Sequence, residues 1–203
     1  MITIIDYGMG NLGSMLNMFK RIGVAACIES SPDKISLAKK IVLPGVGAFD
    51  AAMQRINSVA GLRAVLDHKA LVERVPVMGV CLGMQLLTRS SEEGELPGLS
   101  WIPGVTRRFP RQTGFKVPHM GWNVAQPTTT SCPLTFDVGN EPRYYFVHSY
   151  YVSVDDPAHS LMRTHYGLDF DSAIGRGNIY GVQFHPEKSH RFGMQILKNF
   201  AGF

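Results

Sequence analysis

Val77-Met78-Gly79-Val80-Cys81-Leu82-Gly83-Met84-Gln85 is the stretch on which the fold turns. An apolar run of strand type passes directly into a helix-compatible segment, with Cys81 at the junction and a glycine two positions to either side. A strand-to-helix turn of this kind holds its central residue in a cramped backbone conformation at the carboxyl edge of a sheet, and flanking glycines remove the clashes. The helix start that follows offers backbone donors and a favourable field for a negatively charged sulfur. A cysteine between small residues is otherwise an ordinary buried side chain, so its surroundings have to decide.

Outward from this turn, strands alternate with helices. Ile2–Ile5 reads as a buried strand, followed by a turn with Gly8 and Gly10 and a helix whose apolar face is Leu12, Met15, Leu16, Phe19 and Ile22. A strand at 25–28 and a short helix opened by Ser31-Pro32-Asp33 come next. A third strand, 41–43, ends at Pro44-Gly45-Val46-Gly47. Leu62, Val65, Leu66 and Val72 recur at helical spacing, and Pro76 closes that helix before the strand leading to Cys81. This order predicts an α/β fold with a mostly parallel central sheet flanked by helices on both faces. After Thr88 the grammar changes to Pro- and Gly-rich loops between short β-like runs at 105–109, 122–125, 144–147 and 150–154, which predicts additional antiparallel strands. Ala173-Ile174 and Ile179–Val182 flank the hairpin-like Gly175-Arg176-Gly177-Asn178, and a helix with Phe192, Ile196, Leu197 and Phe200 on one side closes the chain. No linker or internal repeat interrupts the pattern, so one domain spanning 1–203 is expected.

Composition removes several classes of function. The chain has 203 residues, 45% of them hydrophobic, enough for a substantial core, and its 12 Pro and 21 Gly form no low-complexity block. The net charge of +4 is scattered apart from pairs such as Lys39-Lys40 and Arg107-Arg108, which reads as solvated surface and not as a nucleic-acid footprint. Cys27, Cys81 and Cys132 are odd in number, far apart and without a CxxC pair, so neither a disulfide framework nor a structural zinc is expected. The apolar start at Met1 is too short for a signal core, and no run approaches the roughly 18 apolar residues of a membrane span. A cytoplasmic protein without metal or cofactor is the expectation.

A thiol nucleophile needs a base. His185 lies in Gly181-Val182-Gln183-Phe184-His185-Pro186-Glu187, where residues two apart on an extended chain share a face, so Glu187 can orient the imidazole. The Pro44–Gly47 loop follows a parallel strand as Cys81 does, and its glycine-freed amides, with that of Leu82, suit an oxyanion hole at Val46, Gly47 and Leu82. Metal ligation by Cys81, His148, His185 and Glu187 is the rival, but none of the usual close ligand spacings occurs.

In this order the motifs resemble the class I (triad) glutamine amidotransferases and, more closely, the glutaminase-subunit family of imidazole glycerol phosphate synthase. The resemblance spans nearly the whole chain and rests on Asp6-Tyr7-Gly8-Met9-Gly10-Asn11-Leu12, Pro44-Gly45-Val46-Gly47, the Cys81 turn, Lys116-Val117-Pro118-His119-Met120-Gly121-Trp122-Asn123, Phe146-Val147-His148-Ser149-Tyr150-Tyr151 and Gln183-Phe184-His185-Pro186-Glu187-Lys188-Ser189. It implies Cys81 as nucleophile, His185 as general base and acid, and Glu187 as orienter. It further implies glutamine contacts at Gly45, Gly47, Gln85, His148, Ser149 and Tyr150. A (β/α)8 barrel synthase would meet Asn11, Met120, Trp122, Tyr145 and Lys188. One departure stands out: the family commonly continues with Gly after Lys188-Ser189, whereas here His190-Arg191-Phe192-Gly193 follows. Some relatives supply ammonia for sugar amidination in surface-polysaccharide synthesis instead of histidine synthesis, and the sequence leaves both pathways open.

Overall fold

A computed structural model describes residues 1–110, 116–129 and 131–203. The first half runs β1 (Ile2–Ile5), α1 (Leu12–Arg21), β2 (Ala26–Glu29), α2 (Pro32–Ile35), β3 (Ile41–Gly45), α3 (Phe49–Ser58), α4 (Leu62–Asp67), β4 (Val77–Cys81) and α5 (Leu82–Leu86). The second runs β5 (Gly104–Arg108), β6 (His119–Val124), β7 (Gln126–Pro127), β8 (Arg143–His148), β9 (Tyr150–Val154), β10 (Ser160–His165), β11 (Asp169–Arg176), β12 (Ile179–Val182) and α6 (His190–Ala201). Strands β2-β1-β3-β4-β12 are parallel neighbours, and β11, β10 and β7 extend the sheet antiparallel. The pair β5 and β9 joins through β11, while β6 and β8 form a separate antiparallel ribbon. The α/β fold with a mostly parallel sheet and added antiparallel strands is therefore as the sequence predicts.

Alternation along the parallel strands explains why both faces need helices. In β3, Ile41 and Leu43 enter one core while Val42 enters the other; in β4, Val77 enters the first and Met78 and Val80 the second. The first core is closed by Phe49, Ala52, Met53 and Ile56 of α3 with Leu62 and Leu66 of α4, the second by Met15 and Phe19 of α1 with Ile196, Leu197 and Phe200 of α6. Each such Leu, Ile, Met or Phe side chain is worth about 1.5–3 kcal/mol relative to exposure, so neither face can be left open.

The structure departs from the sequence reading in several places. β3 continues through Pro44 to Gly45, because β1 pairs only with Ile41 and Val42 and the missing Pro44 amide has no partner to lose on that side. Helix α3 was not foreseen, although its buried Phe49, Ala52, Met53 and Ile56 fall at helical spacing. The 62–72 segment is helical but passes into a π-turn, His68–Val72, that buries Lys69 and Ala70 and leaves Val72 exposed. Lys69 is held there by Ser36 O at 2.9 Å and Glu73 Oε2 at 2.6 Å. Strands β7 and β10 were likewise not foreseen.

Candidate active site

Cys81 ends β4 and immediately precedes α5, with φ 55° and ψ −113°. A non-glycine residue in that region costs on the order of 1–3 kcal/mol and persists only where its surroundings impose it. Here they do. A Cβ on Gly79 would lie 2.4 Å from Gly83 O, and one on Gly83 would lie 1.9 Å from Leu43 O. Both glycines thus let the first turn of α5 lie directly on the β3 and β4 backbones, and that contact fixes the turn at Cys81.

Register brings the distant histidine to the sulfur. β12 pairs with β4 in parallel, Val182 opposite Val80, so the residues leaving the two strands emerge side by side. Phe184 stacks on Tyr144 at 3.8 Å, and His185 N–H donates to Tyr145 O at 2.9 Å, which anchors the chain beyond β12. Glu187 reaches His185 by a different route from the one read in the sequence. Pro186–Lys188 is a 3-10 turn and not extended chain, and it folds Glu187 back so that His185 Nδ1–H donates to Glu187 Oε1 at 2.8 Å. Both side chains are only 3% exposed.

His185 Nε2 is buried and makes no well-formed hydrogen bond among the described residues. It faces Cys81, whose influence shows in the ionisation of the ring. Burial works against the imidazolium, yet interaction with Cys81 and the hydrogen bond donated to Glu187, reinforced by the charge of each, outweigh it and lift the pKa to about 10. The sulfur is also approached by Gln183 Nε2 at 3.9 Å.

Cys81 and His185 open into a cavity of about 340 Å³ whose walls include Val46, Gly47, Leu82, Gln85, His148, Ser149 and Tyr150. Gly45 lies just behind, paired with Cys81 across the sheet; a side chain there would strike Gly83 N at 2.8 Å and Tyr7 Oη at 2.9 Å. Gly47 takes φ +106° with Met9 packed where a Cβ would be. Gln85 is held by donating Nε2–H to Tyr150 O at 3.1 Å and to Gln183 Oε1 at 3.0 Å. Both ring nitrogens of His148 are engaged, Nδ1 with Tyr150 O at 2.7 Å and Nε2 with His119 at 2.9 Å, so toward a ligand this ring offers shape and no free hydrogen-bonding atom.

Sequence reasoning missed Glu93, Pro118 and Val147 on the same walls. Glu93 sits among Glu92 and Glu95, an acidic run that reads as solvated surface; only the fold turns it inward. Burial raises its pKa, opposed by the Phe49 amide donating to Oε2 at 3.0 Å.

The other expected residues lie outside the cavity. Met120 and Trp122 are 61% and 47% exposed. Trp122 meets Tyr145 edge-on at 6.1 Å and stacks on His190 at 5.3 Å, while Lys188 Nζ lies 5.6 Å over the Tyr145 ring. Asn11 is the N-cap of α1, its side chain accepting from Ser14 N–H at 3.4 Å. Among the described residues no group of three or more His, Cys, Asp or Glu is placed to hold a metal ion, and no helix is long and apolar enough to cross a membrane.

A doubly covered, mostly parallel sheet with a cysteine turn at its carboxyl edge defines the class. The pattern of the glutamine amidotransferase class-I family matches residues 3–202, and the chain belongs to that family. It is 50% identical over 201 residues to the imidazole glycerol phosphate synthase subunit HisH 2 of Pseudomonas aeruginosa, covering 99% of this chain and 98% of the relative. It is also 50% identical over 200 residues to the protein of the same name from Methanococcus maripaludis, covering 98% of both. PurLQS from Thermotoga maritima shares the fold, with a TM-score of 0.77 at 16% identity over 99% of this chain and 97% of that one.

Proposed function

We propose that the chain is the glutaminase subunit of an imidazole glycerol phosphate synthase, hydrolysing glutamine to glutamate and passing the ammonia to a separate (β/α)8 barrel synthase subunit in histidine biosynthesis. The observation that carries the chemistry is the buried Glu187–His185 pair, aimed at Cys81 on the floor of a cavity of amino-acid size. A histidine with a pKa near 10 is an imidazolium at neutral pH, ready to act first as an acid.

The Cys81 thiolate attacks the glutamine carboxamide carbon, forming a C–S bond and an oxyanion that faces Val46, Gly47 and Leu82. The imidazolium gives its Nε2 proton to the amide nitrogen, the C–N bond breaks, and ammonia leaves a γ-glutamyl thioester. His185, now neutral, takes a proton from water as the oxygen attacks the thioester carbon; the C–S bond breaks, glutamate departs and the thiolate–imidazolium pair is restored. Glu187 holds the imidazole in one tautomer throughout. Glu93 supplies the negative charge that the α-ammonium of a free amino acid needs at the cavity wall.

Ammonia is a nucleophile only while unprotonated, so it has to pass to the next reaction without meeting bulk water. The exposed Met120 and Trp122, beside Tyr145 and Lys188, suit the docking face of the barrel. His190, where the family commonly has Gly, stacks on Trp122 and so modifies that face. Whole-chain identity of 50% to relatives named as synthase subunits favours the histidine pathway over surface-polysaccharide synthesis.

Glutamate release by the wild-type chain mixed with a cyclase barrel subunit, compared with Cys81→Ser and Cys81→Ala, tests the reaction. Both variants should lose hydrolysis while still binding the barrel, and retained hydrolysis would remove the nucleophile assignment. Restored growth of a histidine auxotroph lacking its own glutaminase subunit tests the pathway.

A further inference from the structure

Behind the glutamine pocket lies a run of hydrogen bonds whose donors and acceptors are all determined. Asn123 Oδ1 accepts from Val124 N–H at 2.8 Å, and Asn123 Nδ2 faces the carbonyl of His165 at 2.9 Å, so the amide orientation is fixed. The second Nδ2 proton then points to His119 Nε2 at 3.2 Å, which must accept. His119 therefore carries its proton on Nδ1 and donates to His148 Nε2 at 2.9 Å. His148 in turn carries its proton on Nδ1 and donates to Tyr150 O at 2.7 Å. Each end alone demands this assignment, the amide from one side and the backbone carbonyl from the other, and both rings are neutral in it. The run continues through Gln85, which shares Tyr150 O and reaches Gln183, whose Nε2 approaches the Cys81 sulfur.

We infer that His119 is a positioning residue for the glutamine pocket: its Nδ1–H meets His148 Nε2 and, together with the Tyr150 carbonyl on the other nitrogen, holds that ring in place, and so fixes Tyr150 and Gln85 against the substrate. The inference rests on the reading that this pocket takes glutamine. His119 itself reaches no substrate, being 2% exposed and clamped between Phe146 at 4.7 Å and Tyr166 at 4.0 Å. The clamp sets the ring plane, and the β6–β8 register places His119 directly opposite His148. Burial holds the His119 pKa down to about 4. It holds that of His148 down to about 3, against the Tyr150 carbonyl and helped by the two neighbouring histidines. Neither ring gains a second proton at neutral pH that would break the order of donors.

The test uses the full chain with selectively 15N-labelled histidine. In the wild type, His148 and His119 should each show a protonated Nδ1 and a bare Nε2; the opposite tautomer at His148 overturns the inference. His119→Phe keeps the stacking and removes the donor. His119→Asn returns an N–H near the Nδ1 position, and His119→Gln offers one near Nε2. Cys81 labelling is then followed with a glutamine-like chloroketone, which needs the pocket, and with iodoacetamide, which does not. Leaving a buried acceptor unmet predicts a chloroketone rate lower by roughly ten- to hundredfold in His119→Phe and His119→Gln, with the iodoacetamide rate retained and the chloroketone rate recovered in His119→Asn. Equal loss in His119→Asn and His119→Gln, or an unchanged rate in His119→Phe, overturns it. A wild-type chain that iodoacetamide labels and the chloroketone does not would instead overturn the glutamine reading, leaving the tautomer result standing.

Discussion

Replacing Gly83 by alanine tests whether the contact between α5 and β3 is what holds the cysteine turn. The new methyl carbon would lie 1.9 Å from Leu43 O and 2.9 Å from Leu43 C, about 1 Å inside the 3.0 Å that real contacts respect. Those atoms belong to the β3 backbone, which is paired with β4 at Leu43 and Gly79, so no side chain can swing aside. Either α5 lifts by about 1 Å or β3 bends, and overpacking of this kind costs about 3 kcal/mol at the upper end of its usual range. For a chain of 203 residues that is a Tm lower by about 6–12 °C. Cys81 immediately precedes α5, so the same shift moves the sulfur relative to His185; a displacement near 1 Å typically costs on the order of 100-fold in rate. Differential scanning calorimetry and Cys81 labelling by a glutamine-like chloroketone read the two effects. Gly13→Ala is the control: it lies in α1 with nothing within 4 Å of the added methyl group, so it should leave labelling alone and raise stability by up to about 1 kcal/mol. A Gly83→Ala chain that melts and labels like the wild type would refute the packing argument.

Glu187→Gln removes the charge, and leaves at most a weaker neutral hydrogen bond, where both charge and bond raise the His185 pKa, so the alkaline limb of glutamine hydrolysis should move to lower pH; an unchanged or upward limb would contradict the pairing. Because the folded pKa of about 10 lies above the ordinary value of 6.5, His185 contributes stability in full below about pH 6.5 and loses it as the pH rises toward 10. Melting curves of the wild type and Glu187→Gln should accordingly converge at alkaline pH. Tyr7→Phe strips the buried carbonyl of Pro44 of its 2.7 Å donor and should cost about 1–3 kcal/mol in urea unfolding. Tyr144→Phe should do the opposite, since the Tyr144 hydroxyl is buried without a partner among the described residues and its removal relieves a desolvation cost of about 1 kcal/mol.

What the sequence made legible was the part of the fold governed by local pattern. Parallel strands buried on both faces announce themselves as apolar runs, and the Gly79–Cys81–Gly83 spacing marks a strand-to-helix turn because only glycine permits the backbone approach found there. What escaped was set by register and irregularity. β10 hides its strand character because register shifts between Ser160 and Met162, and between Met162 and Arg163, break the two-residue alternation. The π-turn after α4 rotates Lys69 inward and Val72 outward, inverting what a regular helical period predicts. Glu93 enters the cavity, and His119 meets His148, only through pairings between segments far apart in the chain, and no composition or spacing within either segment records them.

The two histidines of the cavity show why such pairings decide chemistry. His148 and His185 are both buried against aromatic rings or backbone near Cys81, and residue type alone leaves either able to serve as the base. His185 has a carboxylate on one nitrogen and the sulfur beyond the other, and its pKa is lifted to about 10. His148 has a backbone carbonyl on one nitrogen and a neutral imidazole on the other, and its pKa is held at about 3. The charge on His185 also repels a proton on His148 and is among the causes that depress its pKa. In the proposed mechanism the first ring therefore carries the proton that departing ammonia needs, while the other cannot gain one without breaking its bond to His119. Environments that push two like groups to opposite sides of neutrality assign their roles, and in this cavity the difference comes down to Cys81 and Glu187 beside His185, where His148 has only His119 and the Tyr150 carbonyl.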